Sequence, residues 1–146
     1  MMKLNNGDIK TAYHFAATEL ENIQKYEKQI FSSLDKGDAI SGEMLLEYIQ
    51  VLNSYCDALD LMEHFSAEQF YFERALEMLE NYGQASPELV NIKTVTLVKY
   101  ARLLCTLKQY KKSGELLKET LQYILNNIEY YSDSEVNIEF IKKQLQ

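Results

Sequence analysis

The chain has little of what interrupts helices and little of what carries chemistry. It contains one proline, five glycines, two cysteines and two histidines in 146 residues. With 47% hydrophobic residues, this composition predicts a compact, helix-rich protein rather than a disordered one. No apolar run approaches the roughly 20 residues that a membrane-spanning helix needs. We therefore expect no membrane span.

The same scarcity argues against catalysis and against a bound metal or cofactor. His14 and His64 do not occur in the HExxH or ExxH spacing of metal sites. Gly37 and Gly42 are too few and misplaced for a phosphate-binding loop. Residues 35–38, DKGD, lack the alternating oxygen ligands and the closing glutamate of a calcium-binding EF-hand. We therefore expect a protein that is not an enzyme and uses no cofactor.

The two cysteines, Cys56 and Cys105, both fall on predicted apolar helix faces. We expect each to be a buried free thiol rather than half of a disulfide, which favours a reducing compartment. The N-terminal segment MMKLNNGDIK lacks the apolar core of a signal peptide. Together these features predict a cytoplasmic protein.

The net charge of −7 is unevenly distributed along the chain. Residues 35–80 contain 11 acids and two bases, whereas residues 93–118 contain seven bases and one acid. Such a separation produces a field that can orient a partner or another copy of the chain. Two solvated helix faces of opposite sign are the alternative. The acidity of the whole chain weighs against nucleic acid as a partner, because a phosphate backbone would repel it.

Apolar residues at helical spacing predict a long first helix from about Asp8, as its N-cap, to Leu34. Gly37 suits a left-handed C-cap after it. The apolar seam of this helix repeats every seven residues, at Ile9, Ala16, Ile23 and Ile30. We expect the N-terminal segment, residues 1–37, to brace the helices that follow. A homodimeric coiled coil is the alternative.

Two helical pairs and a final helix are predicted after this segment. In the first pair, residues 41–83, the second helix is expected to begin at Ser66, with Gln69 completing a capping box. The second pair, residues 86–130, starts with Ser86 as N-cap and Pro87 at the first helical position. The last helix, residues 132–146, would start at a second capping box and cover the preceding pair. The sequence thus predicts one all-α domain of about six antiparallel helices, as a short irregular solenoid or a bundle.

The stretch from Thr94 to Leu121 carries the most information. It predicts two amphipathic helices joined by a tight turn at Lys108–Gln109. Small residues occur where the two helices are expected to cross closely, at Ala101, Ser113 and Gly114. The apolar positions are Leu97, Tyr100, Leu104 and Leu107 in the first helix, and Leu116, Leu117, Leu121 and Ile124 in the second.

This order of large and small residues resembles the tetratricopeptide repeat, a helix–turn–helix unit that stacks into binding solenoids. The matching positions in the second pair are Tyr100-Ala101, Leu104, Tyr110, Ser113 and Leu117. The matching positions in the first pair are Cys56, Phe65, Phe72 and Ala75-Leu76, whereas Glu68 stands where the family has alanine. Ala75 and Thr120 are equivalent and lie 45 residues apart, against about 34 in the ordinary repeat.

The resemblance implies a non-catalytic interaction module, such as an adaptor, chaperone or regulatory subunit, that binds a peptide or helix on a concave face. Seven residues would lie on that face: Asn53, Asp57 and Asp60 from the second helix, and Val95, Val98, Arg102 and Cys105 from the fourth. The alternatives are an acidic inhibitor, of the immunity-protein type, that masks a basic site on its partner, and a self-associating scaffold.

Three successive aromatic residues, Phe70, Tyr71 and Phe72, form a second candidate contact site. Three adjacent positions of a helix cannot all face one core. Phe70 and Tyr71 therefore either pack against the first helix or contact a partner.

Overall fold

The computed structural model describes residues 6–83 and 86–130, and this part of the chain is helical without any strand. Its five α-helices are α1 (Asn6–Asp35), α2 (Gly42–Leu61), α3 (Phe65–Tyr82), α4 (Pro87–Thr106) and α5 (Tyr110–Asn126), and a short 3₁₀ helix (Ile128–Tyr130) follows. The all-α prediction is confirmed. The helix predicted at residues 132–146 lies outside the described residues. None of the described helices combines the length and hydropathy that a bilayer span requires.

The chain divides into two compact units, Met1–Gly83 and Gln84–Gln146. In the first unit, α2 packs against both α1 and α3. Three residues of the predicted α1 seam, Ala16, Ile23 and Ile30, are buried, whereas Ile9 at its end is half-buried. The rest of this core consists mainly of Leu45, Tyr48, Ile49, Leu52 and Leu59 from α2, and Phe72, Ala75 and Leu79 from α3.

In the second unit, α4 packs against α5. The core consists mainly of α4 residues, namely Leu89, Val90, Leu97, Tyr100, Ala101, Leu103 and Leu104, together with Ile124 of α5. The predicted apolar positions of α5 are less buried than those of α4. Leu116, Leu117 and Leu121 are only half-buried.

Serine side chains cap the N-termini of α2 and α4, the first helices of the two pairs. The hydroxyl of Ser86 accepts a hydrogen bond from the backbone N–H of Leu89 (3.2 Å), and Pro87 is the first helical residue, as predicted. Ser41 caps α2 in the same way, through the N–H of Met44 (3.1 Å). The prediction of Asp8 as an N-cap is wrong, because α1 already begins at Asn6 and Asp8 lies in its first turn.

The capping box predicted at Ser66 and Gln69 is also wrong. Helix α3 begins two residues earlier than the capping box requires, at Phe65, and its N-cap is His64, which makes no side-chain hydrogen bond to the helix. The amide of Gln69 donates instead to Glu73, one turn further along the helix (3.2 Å). The helix starts early because the preceding turn already fixes the backbone of His64, whose N–H donates to the carbonyl of Leu59 (2.9 Å).

Three helices end in the same left-handed turn. Gly37 has φ +79°, and Glu63 and Lys108 have φ 60° and 63°. After each of them the next N–H donates to a carbonyl five residues back, which closes a Schellman motif: Asp38 to Ser33, His64 to Leu59, and Gln109 to Leu104. The predictions of a C-cap at Gly37 and of a turn at Lys108–Gln109 are confirmed.

The two helical hairpins, α2–α3 and α4–α5, share one framework displaced by 45 residues. Their N-caps (Ser41 and Ser86), their left-handed residues (Glu63 and Lys108) and the first residues of their second helices (Phe65 and Tyr110) are all 45 positions apart. The residues that follow the left-handed position have nearly equal dihedrals, φ −87°, ψ 66° in one hairpin and φ −93°, ψ 65° in the other. Buried pairs at this spacing include Leu45/Val90, Leu52/Leu97, Cys56/Ala101, Leu59/Leu104, Glu68/Ser113, Ala75/Thr120 and Leu79/Ile124. The first helix of each hairpin is 20 residues long.

The helices of each hairpin approach closely at the small positions. The Ser113 hydroxyl on α5 donates to the backbone carbonyl of Ala101 on α4 (2.8 Å). At the equivalent place, the Cys56 thiol on α2 donates to the carbonyl of Glu68 on α3 (3.6 Å). Gly114 was also expected at this crossing, and that prediction is wrong. A Cβ atom at Gly114 would meet nothing within 4 Å, because Ser113 is the α5 residue at the crossing.

Enlarging the small residues tests the shared framework. We expect Ala101→Leu and Ala75→Leu each to cost about 1–3 kcal/mol of unfolding free energy, because both residues are buried to 1% exposure and the core must shift to admit a larger side chain. Gly114→Ala is the matched control and should stabilise by about 0.5–1 kcal/mol, since it removes a helical glycine on an open face. Urea denaturation measures all three. Unchanged midpoints for both leucine variants would contradict the framework.

The left-handed residues provide a second test. We expect Lys108→Gly to stabilise the protein by about 0.5–1 kcal/mol, because the relief of left-handed strain exceeds the entropy that glycine adds to the unfolded chain. Gly37→Ala should have the opposite effect, since Gly37 has the same backbone conformation. A destabilising Lys108→Gly in thermal denaturation would mean that this side chain contributes more than its conformation costs.

Candidate functional site

One face of α4 carries four of the predicted site residues. Val95, Val98, Arg102 and Cys105 follow helical spacing and are all exposed, and we call them the α4 face. The two valines are 43% and 41% exposed. The face therefore combines apolar side chains, a cation and a thiol on a rigid helix.

Cys105 was expected to be buried, and this prediction is wrong. Only Cys56 is buried, although both cysteines are free thiols as predicted. Leu104, next to Cys105, is the residue that points into the core, with 0% exposure. The Cys105 sulfur lies 3.2 Å from the Ser113 hydroxyl, at the edge of the helix crossing.

The corresponding face of α2 differs from its prediction. Asn53 is buried at 5% exposure, and its side-chain amide donates to the carbonyl of Ile49 (3.1 Å). It therefore cannot serve as an exposed contact residue. Because α2 packs against helices on two sides, fewer of its residues reach the surface. Asp57 and Asp60 are exposed.

The aromatic run on α3 separates into three environments. Phe72 is in the core, Tyr71 is half-buried and Phe70 is 54% exposed. The Tyr71 ring packs edge-on against Tyr55 of α2, with centroids 4.9 Å apart, and against Phe70 at 5.1 Å. Tyr71 thus has a packing role within the first unit, and Phe70 is the member of the run that a partner can reach.

A polar cluster joins the three helices of the first unit, and we call Glu27, Tyr48 and Arg74 the three-helix cluster. The Glu27 carboxylate on α1 forms an ion pair with Arg74 on α3 (2.6 Å) and accepts a hydrogen bond from the Tyr48 hydroxyl on α2 (3.0 Å). Arg74 also donates to the Tyr48 oxygen (3.1 Å). Its guanidinium lies 6.0 Å from the centroid of the Phe31 ring.

Sequence reasoning missed this cluster, although two signals pointed to it. Glu27 interrupts a second series on α1 with a spacing of seven residues, whose other members are Tyr13, Leu20 and Leu34. Arg74 is one of only two bases in residues 35–80. An acid in an apolar seam needs a cation close by, since a buried charge is costly unless it is paired. The cluster satisfies its own members and has no arrangement typical of catalysis.

Burial raises the pKa of Tyr48 to about 12; the hydrogen bond from Arg74 opposes the rise and the negative charge of Glu27 adds to it. The neutral phenol is therefore the form that the fold stabilises. Burial likewise raises the pKa of Tyr55 and of Tyr71.

The start of α5 is strongly basic. An open depression there is lined by Lys108, Gln109, Tyr110, Lys111, Lys112 and Glu115. Tyr110 is 64% exposed.

Residues 6–83 and 86–130 contain no group of three His, Cys, Asp or Glu side chains placed to hold a metal ion. His14 is exposed, and the His64 ring lies 3.5 Å from the Tyr13 hydroxyl.

Comparison of this chain with protein-family models, with curated proteins and with solved structures finds no match.

The three-helix cluster predicts a loss of stability at alkaline pH. An unfolded tyrosine titrates near pH 10, so the contribution of Tyr48 is complete below about pH 10 and is lost as the pH rises towards 12. The full difference corresponds to about 2–3 kcal/mol. We expect Tyr48→Phe to lower stability at neutral pH and to flatten its decrease above pH 10 in urea denaturation. Tyr82→Phe, at an exposed tyrosine of the same unit, is the control. If the stability of Tyr48→Phe decreases equally steeply above pH 10, other groups cause the decrease.

Proposed function

We propose that this chain is a non-catalytic protein-interaction module that binds a peptide or a helix of a partner protein on the α4 face. The observation that carries this proposal is the exposure of Val95 and Val98 beside the exposed Arg102 on a single helix face. Apolar side chains provide the contact area, and the cation provides orientation.

The chemistry of the face indicates the kind of partner. An amphipathic segment with apolar side chains one helical turn apart would cover both valines. A carboxylate near them would pair with the Arg102 guanidinium, which can donate two parallel hydrogen bonds to one carboxylate. The partner segment is therefore apolar and acidic. We propose that it meets this chain in the cytoplasm.

We further propose that the two hairpins belong to a short helical-repeat array of tetratricopeptide type, with residues 132–146 as its sixth helix. The shared 45-residue framework supports this part of the proposal, because repeat proteins reuse one turn and one set of core positions. The longer spacing has a simple origin in first helices of 20 residues. The α4 face would then belong to the binding surface of the array.

A second candidate function is supported by the acidic surface of the first unit. Three acidic residues are exposed near the turn between α2 and α3, namely Asp57, Asp60 and Glu63. Such a surface would suit an inhibitor that masks a basic site on a partner protein, and long-range steering would then speed its association.

Affinity capture from the native cell distinguishes the two candidates. The wild-type chain is the reference, and the test variant is Val95→Asp combined with Val98→Asp. We expect this variant to recover the partner at least about tenfold less well, because two charges replace the apolar contact at the centre of the site. Phe15→Asp is the matched control, since Phe15 is 45% exposed on a different helix. The control should recover the partner as the wild type does.

The inhibitor hypothesis predicts the reverse pattern. Charge reversal at Asp57 and Asp60 would abolish capture, whereas the valine variant would bind normally. Circular dichroism establishes that each variant is helical before it is compared. A partner that both sets of variants recover fully would contradict both candidates.

A further inference from the structure

The ends of the two hairpins have the same backbone and opposite charges. Residues 57–68 contain four acids, of which Glu68 is buried, and no lysine or arginine, and we call them the acidic tip. The equivalent residues, 102–113, contain four bases and no acid, and we call them the basic tip. Each tip contains the left-handed residue of its hairpin, Glu63 in one and Lys108 in the other.

Two of the opposite charges on each tip occupy equivalent positions of the shared framework. Asp57 corresponds to Arg102 and Glu63 to Lys108, and all four residues are exposed. On the second helices, the exposed Glu73 corresponds in the same way to the exposed Lys118. The one pair with the reverse order is Arg74 and Glu119, and Arg74 is bound to Glu27 in the three-helix cluster. The tips are therefore opposite in sign at two exposed equivalent positions, and their remaining charges lie at positions without a charged equivalent.

Equivalent positions on one backbone have equivalent spacing. The separation between Asp57 and Glu63 is thus matched by the separation between Arg102 and Lys108. Two acids on one tip can meet two bases on another tip without any change of backbone. A partner that carries this complementary pair is already defined by the sequence, because every copy of the chain has both tips.

We propose that the chain binds a second copy of itself, with the acidic tip of one copy against the basic tip of the other. Arg102 belongs both to the α4 face and to the basic tip, so the inference rests on the proposed function in taking the α4 face as a binding surface. It names the acidic tip of a second copy as the partner of Arg102. The contact is heterologous, so in a pair the basic tip of one copy and the acidic tip of the other lie outside the contact. Its strength depends on salt, because exposed charges are screened over about 8–10 Å at physiological ionic strength.

The test is sedimentation of the purified full chain over a dilution series. Wild type should associate at about 0.01 M salt, where the screening length is about 30 Å, and dissociate at about 1 M, where it is about 3 Å. Asp57→Lys with Glu63→Lys gives both tips bases at these two equivalent positions, and Arg102→Glu with Lys108→Glu gives both tips acids there. Each double variant alone should associate at least about tenfold more weakly than wild type. An equimolar mixture of the two should regain association.

The mixture also establishes that the variants are folded, since misfolded chains would not restore each other. The matched control is Glu43→Lys with Glu88→Lys, which changes the net charge as much as the acidic-tip variant does, at equivalent exposed positions away from the tips. It should associate within about twofold of wild type. If the control associates as weakly as the tip variants do, association depends on net charge, and the proposal is overturned.

Three other results would also overturn self-association through the tips. These are a wild-type chain that stays monomeric at low salt, tip variants that associate as wild type does, and a mixture no stronger than its components. The measurement uses no other protein, so its failure is distinct from that of the proposed function. A monomeric chain that still captures a partner through Val95 and Val98 would overturn only the self-association. A self-associating chain whose partner binding ignores both valines would overturn only the proposed function.

Discussion

The close approach of two helices at a small residue is the constraint on which each hairpin depends. Ala101 lies against α5 closely enough for the Ser113 hydroxyl to donate to its carbonyl, and in the other hairpin the Cys56 thiol donates across the crossing to the carbonyl of Glu68. Such an approach is available only if the turn between the helices returns the chain at a set angle. The left-handed residue and the Schellman hydrogen bonds provide that angle in both hairpins. The buried positions along the helices then follow from their 3.6-residue period.

The two hairpins use the same framework for different surroundings. In the first unit, α1 covers one side of α2, and the three-helix cluster connects α1, α2 and α3 through side chains that satisfy one another. This packing buries Asn53, whereas the equivalent Val98 of the second hairpin is 41% exposed. A shared backbone thus presents an apolar and basic surface in one hairpin and an acidic surface in the other. The difference comes from the side chains at equivalent positions and from the packing of α1 against α2 in the first unit.

Much of the helical organisation could be predicted from the sequence, because it depends on local rules. Ser86 and Pro87 begin α4, Gly37 ends the turn after α1, and the turn at Lys108–Gln109 separates α4 from α5, as local capping preferences require. The seven-residue seam of α1 likewise identified its buried face. The candidate site was predicted less well. The exposure of Val95, Val98 and Arg102 agrees with the helical period, but the period cannot say which side of a helix a neighbour will cover.

The sequence by itself therefore determined the all-α class, most helix boundaries and the separation of charge, since each depends on residues close together in the chain. Only the tertiary structure decided the rest. It buried Asn53 and exposed Cys105, it placed Ser113 rather than Gly114 at the crossing, and it brought Glu27 to Arg74 from 47 residues away. These outcomes depend on which helix faces meet, and helix packing is set by contacts between residues that are distant in sequence.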